Sequence, residues 1–383
     1  MTGNFVIGTS VLAPTAMLNE LASDVAGSTY AAGLLVTWGA VVLCVGSPVM
    51  SGVTSRVDRR TLLGGALLLM AIGHLASAFA PNYGALLATR ILMVVAAAPF
   101  TPQAASTIAL LVPAAERASA ISFVFLGWSL SVAAGLPIIK LLAAQIGWRA
   151  SFGALAGVAL VAFVLVAWSL PAGLRGTAVS LKSWAAIGRH RQIRLILLLT
   201  AVLVAGQFAV FTFLAPLLVG LCDAGTATIT AFFLVFGAMG FAGNVVATRI
   251  VSDLGPLRTT FAFLVTTLAG ITLWSVGAGA VLVMGVGIAL WGLGFAAINS
   301  MQQARLVATD PALSAGTVAL NSSAIYVGQA IGSAVGGFLM ARDLPLLLGY
   351  AAMASTIVGT ILLAFTRSPG EPFPWRRTVM PGR

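Results

Sequence analysis

Residues 193–219 read IRLILLLTAVLVAGQFAVFTFLAPLLV, a run in which Arg194 is the one charge. At a rise of ~1.5 Å per residue, a helix of this length crosses the ~30 Å of bilayer hydrocarbon with room to tilt. The rest of the chain is built alike. Of 383 residues, 60% are hydrophobic and 8% charged, and the mean hydropathy is +1.06; a soluble domain carries about 25% charged residues. Apolar runs recur at 4–22, 30–54, 60–80, 83–112, 118–142, 148–171, 193–219, 226–250, 256–276, 279–303, 314–340 and 344–366, twelve in all. Backbone amides within lipid must be satisfied internally, which leaves helices or a closed barrel, and these runs do not alternate as barrel strands would. The predicted class is an all-α membrane protein of twelve transmembrane helices.

The fourth and eleventh runs are long enough to tilt or to pass the headgroups. The first is the weak one: its uninterrupted apolar stretch, 5–18, is 14 residues, or ~21 Å of helix. A late start assignment or a truncated first helix is the expectation. A cleaved signal peptide competes with it, without a basic segment before Phe5 or a clear small-residue cleavage site.

The net charge of +11 takes its meaning from position. An even number of spans puts both termini on one side. Sixteen Lys and Arg residues then share that side (Arg56, Arg59, Arg60, Arg117, Arg175, Lys182, Arg189, Arg191, Arg194, Arg249, Arg258, Arg305, Arg367, Arg376, Arg377 and Arg383). Lys140, Arg149 and Arg342 fall on the other, and Arg90 within a span. The positive-inside rule makes the richer side cytoplasmic, in an inner membrane. The basic balance therefore reports topology and contact with anionic lipid rather than nucleic-acid binding. Cys44 and Cys222 suggest packing residues rather than a disulfide framework.

Sliding the chain on itself by 197 residues superposes Gly46 on Gly243, Ser55 on Ser252, Gly135 on Gly332, and the proline-containing loop 112–122 on 309–319. Twelve spans thus divide into two related bundles, 1–171 and 193–366, joined by a polar cytoplasmic linker, 172–192, and followed by a cytoplasmic tail, 367–383. Parallel halves of this kind are a transporter architecture, with substrate bound near the midplane between them.

Between spans two and three stands Ser51-Gly52-Val53-Thr54-Ser55-Arg56-Val57-Asp58-Arg59-Arg60. Three arginines and one acid in a short loop can lock by ion pairs and helix-end contacts in one conformation and release in another. A plain helix anchor is the simpler reading. The loop resembles the signature of the major facilitator superfamily, G-x-L-a-D-R-x-G-R-R, with Ser51 at its first Gly, Arg56 at its first Arg, and Arg59 and Arg60 at its final pair. Ser55 stands where that family has Asp, and Asp58 at its second Gly. The repeat copy, Gly243-Asn244 through Ser252-Asp253-Leu254-Gly255-Pro256-Leu257-Arg258, is similar to the second-half version, with Ser252 at the Asp place. Ser55, Arg56, Asp58, Arg59, Arg60, Ser252, Asp253 and Arg258 are the gating candidates.

Span five holds Gly127-Trp128 and Gly135-Leu136-Pro137. Glycine admits a close helix and proline frees a carbonyl, so this span can bend and pack tightly. Gly127, Gly135, Pro137 and the repeat copy Gly332 are the helix-bending candidates. The pattern resembles the exporters' antiporter motif G-x-P-x-G, with Ile139 at the last Gly. With Gly147-Trp148-Arg149-Ala150-Ser151-Phe152, the chain most resembles the twelve-helix drug:proton antiporter family and its arabinose-efflux-permease-like branch, over nearly its whole length. The resemblance implies alternating access and export of a drug, sugar or related metabolite, with proton coupling.

An ionisable group inside a span costs at least ~2.5 kcal/mol on insertion scales, which makes Arg90 a functional candidate. It matches the Arg of the family's span-four motif R-x-x-x-G, with Val94 at the Gly. Snorkelling to the outer surface is the competing reading. All nine acids, Glu20, Asp24, Asp58, Glu116, Asp223, Asp253, Asp310, Asp343 and Glu371, fall in loops or at helix ends. Related exporters often carry an acid just after a Gly-Thr pair in span one; after Gly8-Thr9 come Ser10 and Val11. His74 is the remaining titratable candidate, against the commoner role of a packed, hydrogen-bonded histidine. The family fold puts spans one, four, seven and ten at the centre, with two, five, eight and eleven beside them. Trp38, Gln103, Trp128, Gln207, Phe211, Asn299, Tyr326 and Gln329 then join Arg90 as substrate-binding candidates, suited to an uncharged or mildly amphipathic ligand.

There is no phosphate-cradling G-x-x-x-x-G-K-[ST] and no His/Cys cluster for a metal, so neither ATP-driven transport nor a cofactor is expected. The leading expectation is a monomeric exporter of a small molecule, not an enzyme, coupled to protons or facilitative. A transport-dead receptor or scaffold on the same fold is the alternative, and a membrane-embedded enzyme the third.

Overall fold

Several helices open on a residue whose side chain takes up a free backbone N–H: Ser28 accepts from Ala31 at 3.1 Å, Asp58 from Thr61 at 3.1 Å and Asn82 from Ala85 at 2.9 Å. In a computed structural model, which describes residues 1–54, 56–113, 117–175, 181–310 and 313–367, the described residues are helical apart from short turns. The first span is α1 (Thr2–Ala16) followed by α2 (Leu18–Leu21) and a π-helical turn (Ala22–Ala26), the two parts bent by 58°. It therefore continues well past the short apolar stretch read from the sequence. Then come α3 (Thr29–Val53), α4 (Arg59–Ala78), α5 (Tyr83–Ala97) with α6 (Phe100–Leu111), and α7 (Arg117–Leu130), which runs through a π-helical segment (Ser131–Gly135) into α8 (Leu136–Ser169). The linker contributes α9 (Leu181–Arg189). The second half has α10 (Arg191–Phe211) with α11 (Leu214–Cys222), α12 (Thr226–Val276), α13 (Val281–Thr309), α14 (Ser314–Met340) and α15 (Pro345–Phe365).

Among the described residues nine helices are long and apolar enough to cross a membrane, or ten with the bent first pair. Two of them are too long for one crossing: the 51 residues of α12 would span ~77 Å as straight helix, more than twice the hydrocarbon. Each is broken by a glycine in a conformation that side-chain-bearing residues rarely adopt, Gly147 (φ 83°, ψ 161°) and Gly255 (φ 75°, ψ 159°). Pro256 then opens the next arm, where its missing N–H costs nothing. Counting the arms separately gives twelve crossings in two six-helix bundles, the major facilitator fold. The 197-residue offset carries residues 29–53 onto 226–250, 59–78 onto 256–275, 117–143 onto 314–340 and 148–168 onto 345–365, helix on helix.

Large apolar side chains such as Leu69, Ile72, Phe79, Leu92, Val161, Trp168 and Leu282 stand exposed on the outside. Only hydrocarbon would cover so much of the surface. Inside, helices approach closely: Gly328, Gly332 and Gly336 of α14 lie on the backbone at Ala201, Ala205 and Ala209 of α10, matched four-residue ladders of the kind that pack helices in lipid. Gly332 thus packs rather than bends, since α14 is continuous through it. Pro137 acts differently. Its missing N–H leaves the Ala133 carbonyl without a helical donor, and the chain adopts the π-helical segment there. Gly135 ends that segment against Thr9, and Gly127 lies on the backbone of Met1 and Phe5.

The halves meet along α3 with α14, along the π-helical segment and the start of α8 with α12, and where α2 touches α11. One contact is a plug. Pro216 cannot bond back to the Thr212 carbonyl, so α10 and α11 are separated at Thr212 and Phe213. The fully buried Phe213 ring fills the space where a Cβ on Gly33 or Gly336 would stand, and Gly337 lies against both that ring and Tyr30.

Candidate functional site

Pro14 lies inside α1 and has no N–H to give to the carbonyl of Ser10, four residues back. A bare carbonyl inside a membrane needs another donor. Arg90 of α5 supplies it: Nη1 donates to Ser10 O at 2.7 Å, Nη2 to Val11 O, and Nε to Leu35 O of α3 at 3.4 Å. Gly39 leaves room for the guanidinium. The side chain is 2% exposed, so it does not snorkel, because its donors are taken up inside the bundle. Ser10 Oγ lies 2.7 Å from His74 Nε2, and the His74 ring stacks on Phe152 at 5.7 Å between centroids. Arg90, Ser10 and His74 thus join four spans around one buried charge, whose described partners are carbonyls.

A second polar chain lies nearer the start of α1. Asn4 Nδ2 donates to Val124 O at 3.0 Å, Thr101 Oγ1 donates to Asn4 Oδ1 at 3.1 Å, and Trp128 Nε1 donates to Thr101 Oγ1 at 3.2 Å. Gln103 is buried, its Nε2 lies 3.5 Å from Thr54 Oγ1, and its carbonyl accepts from Thr107 at 2.6 Å.

In the second half, Trp291 Nε1 donates to Gln207 Oε1 at 2.9 Å. Trp291 and Phe211 belong to a pile of rings with Phe208, Phe233, Phe236 and Phe295, in which Phe211 and Phe236 are 4.7 Å apart. Asn299 Nδ2 donates to Phe295 O in its own helix at 2.9 Å. Tyr326 and Gln329 are buried on α14, and Gln329 Nε2 has no partner among the described residues. Trp38 stands apart, half exposed with Val41, Val45 and Val49.

Sequence reasoning placed Glu20 among the acids in loops or at helix ends and Lys140 among the outside charges. Both are packed in the protein: Lys140 Nζ is 2.5 Å from Glu20 Oε1, with side chains 3% and 20% exposed. A buried ammonium is tolerable here because the carboxylate neutralises it. Below it, Asp24 Oδ2 accepts from Trp148 Nε1 at 2.6 Å and from Arg149 Nη1 at 2.5 Å. Trp291 also escaped notice, and Ser10 was noted only as a residue following Gly8-Thr9, not as a site residue. The Ser10-x-x-x-Pro14 spacing was the available signal for one; nothing local marks the other.

Of the gating candidates, Ser55 lies outside the described residues, while Arg56 and Arg60 are exposed. Asp58 caps α4 and its Oδ2 accepts from Gly173 N at 2.5 Å, and Arg59 N donates to Leu174 O at 2.8 Å. The loop is thereby tied to the end of the sixth span. The Thr61 N–H, then Gly173 N–H, hold the Asp58 carboxyl below its usual value. Arg59 is 2% exposed, and its Nε and Nη1 have no partner among the described residues. In the second copy, Ser252 Oγ donates to Arg249 O at 3.2 Å and lies 3.3 Å from Asp253 Oδ1, while Arg258 is half-buried just beyond the Gly255 break.

Two six-helix bundles facing each other across small residues, with a buried charge in one and an aromatic pile in the other, define a membrane transporter. The chain belongs to the Major Facilitator Superfamily, whose profile matches residues 1–319. It is similar to the inner membrane transport protein YdhP of Escherichia coli (strain K12), with 31% identity over 97% of this chain and 95% of YdhP. A probable sugar efflux transporter of Mannheimia succiniciproducens is 26% identical over 95% of this chain and 93% of its own length. Among solved structures, a D-xylose-proton symporter superposes with a TM-score of 0.73 at 16% identity, over 94% of this chain and 95% of that one.

Proposed function

We propose that this chain exports a sugar, drug or related small metabolite across the inner membrane by alternating access, with proton coupling, and that it acts as a monomer with both termini in the cytoplasm. The observation that carries the reading is Arg90, a desolvated charge joining spans one, two and four in a bundle that meets its partner through apolar and glycine faces. Such a joint can shift as a body. The name of the probable sugar efflux transporter supports small-molecule export, that of YdhP supports transport across the inner membrane, and the distribution of Lys and Arg supports the orientation. In that orientation Phe213 in its glycine socket closes the periplasmic end. The bundles are assigned to 1–171 and 193–366, with 172–192 as linker and 367–383 as tail. Trp128, Gln207, Phe211, Asn299, Tyr326 and Gln329, with Gln103, Trp38 and Arg90, are assigned to the substrate path, and Ser55, Arg56, Asp58, Arg59 and Arg60 with Ser252, Asp253 and Arg258 to the gate.

Facilitated export without protons is the second reading. It is favoured by the cluster around Arg90, which holds His74 but no carboxylate among the described residues.

The test uses everted membrane vesicles and a panel of labelled monosaccharides and lipophilic antibiotics. Uptake driven by an acidic lumen, and lost in Arg90→Ala at normal insertion, is the expected result. Uptake indifferent to the gradient would leave the facilitative reading standing, and no uptake of any compound alongside a co-purifying protein partner would favour the scaffold.

A further inference from the structure

At the linker end of the second bundle, α10 begins without a side-chain cap: His190 precedes it and makes no capping bond. The side chain before it thus takes up none of the N–H groups of its first turn, and a helix N-terminus favours an anion. Against it lies an open surface depression of about 450 Å³ lined by His190, Arg191, Gln192, Leu195, Phe365 and Arg367, between the start of α10 and the end of α15. The charges on this wall are all positive. His190 Nδ1 is buried and has no partner among the described residues. Behind the wall, Gln192 Nε2 and Arg305 Nη2 both donate to Thr366 O, at 3.3 and 2.9 Å, so the two helix ends are tied together. The tail beyond Arg367 carries Arg376, Arg377 and Arg383 against the single acid Glu371, a poor occupant for a cationic cleft.

The depression has an apolar exit. Leu195 and Phe365 line it, and one turn further along the same two helices Leu198 and Ile361 stand 49% and 57% exposed. A soluble anion would have no use for this track; an acyl chain would lie along it.

We propose that this cleft binds the phosphate headgroup of an acidic phospholipid, with Arg191, Arg367 and the α10 N-terminus on the phosphate and a chain along Leu198 and Ile361. The site depends on the two helix ends alone and holds whether or not the transport reading does.

Full-length protein in detergent, offered phosphatidylglycerol and phosphatidylcholine in equal amounts, is examined by native mass spectrometry. Wild type should retain phosphatidylglycerol by roughly tenfold or more, since each cation at a membrane surface contributes appreciably to acidic-lipid binding. Arg191→Gln with Arg367→Gln should approach parity, Arg191→Lys with Arg367→Lys should keep the preference, and Arg342→Gln should leave it unchanged. Each single Gln variant should give a partial loss, which decides the matter if the double variant does not fold. No preference in wild type, or a preference that survives in the Gln variants, overturns the proposal. Equal displacement of the lipid by inorganic phosphate overturns it in favour of a soluble-anion site.

Discussion

Arg90 and Ser10 are joined by a 2.7 Å hydrogen bond from the guanidinium Nη1 to the carbonyl that Pro14 leaves without a helical donor. An arginine on one span thus completes the backbone of another. Hydrogen bonds to charged groups contribute about 1.5–3 kcal/mol each. Arg90→Ala strands the Ser10 carbonyl, removes a second donor from Val11 O, and is expected to lower the Tm and abolish transport; Arg90→Lys, with fewer directed donors, should retain part of both. Pro14→Ala restores a helical donor that competes for the same carbonyl. Its effect and that of Arg90→Ala should be less than additive, with a coupling of about 0.5–3 kcal/mol. Strict additivity in thermal melts would show that the two residues are not linked.

The Glu20–Lys140 pair is the most enclosed described ion pair. Glu20→Gln removes the countercharge of a buried ammonium, and the expected loss of stability is about 3–5 kcal/mol. Replacing both partners by apolar residues, Glu20→Leu with Lys140→Met, should recover most of it, because neither charge then needs to be desolvated. Unfolding in graded denaturant measures both, and a double variant as unstable as the single one would contradict the burial argument.

Phe213 in its glycine socket predicts a directional effect. Gly33→Val puts atoms where the ring stands and should force the two halves apart at that end. In a Cys44→Ser, Cys222→Ser background, a reporter Tyr30→Cys should react severalfold faster with a membrane-impermeant maleimide when Gly33→Val is present. Unchanged labelling would mean the socket does not hold that end shut.

Asp58 is held below the ordinary aspartate range by donors present only in the fold, the Thr61 and Gly173 N–H groups. A depressed folded pKa contributes stability that is complete above the unfolded value of about 3.9 and lost as pH falls through the folded value. The Tm of wild type should therefore be steady near neutrality and fall below about pH 4. Asp58→Ala should lower the Tm at pH 7 and converge on wild type in acid. Asp58→Asn, which can still cap α4, should lose less than Asp58→Ala. A constant difference between wild type and Asp58→Ala down to pH 2 would rule the linkage out.

Much of the architecture is legible in residue order because lipid leaves few choices. A run such as 193–219 must be helical, and the 197-residue repeat aligns helices that the structure then matches end for end. Charge placement is read the same way. The candidate site is another matter. Arg90 stands out as an ion inside a span, but its partners are main-chain oxygens, which no side-chain motif reveals. Glu20 reads as one of nine acids in loops or at helix ends, because the first span's apolar stretch ends before it. The 58° bend that turns α2 back into the protein comes from packing.

Length, hydropathy and repetition, read from the sequence by itself, determined a twelve-span, two-bundle membrane protein, because the cost of an unbonded amide in hydrocarbon depends only on local composition and length. Tertiary structure alone decided where the polar groups find each other: Arg90 on the carbonyl freed by Pro14, Trp291 on Gln207, Lys140 on Glu20, Phe213 in the space left by Gly33. Those partners lie on different helices, and their meeting depends on how helices rotate and approach. That is a property of the packed bundle, which no single apolar run contains.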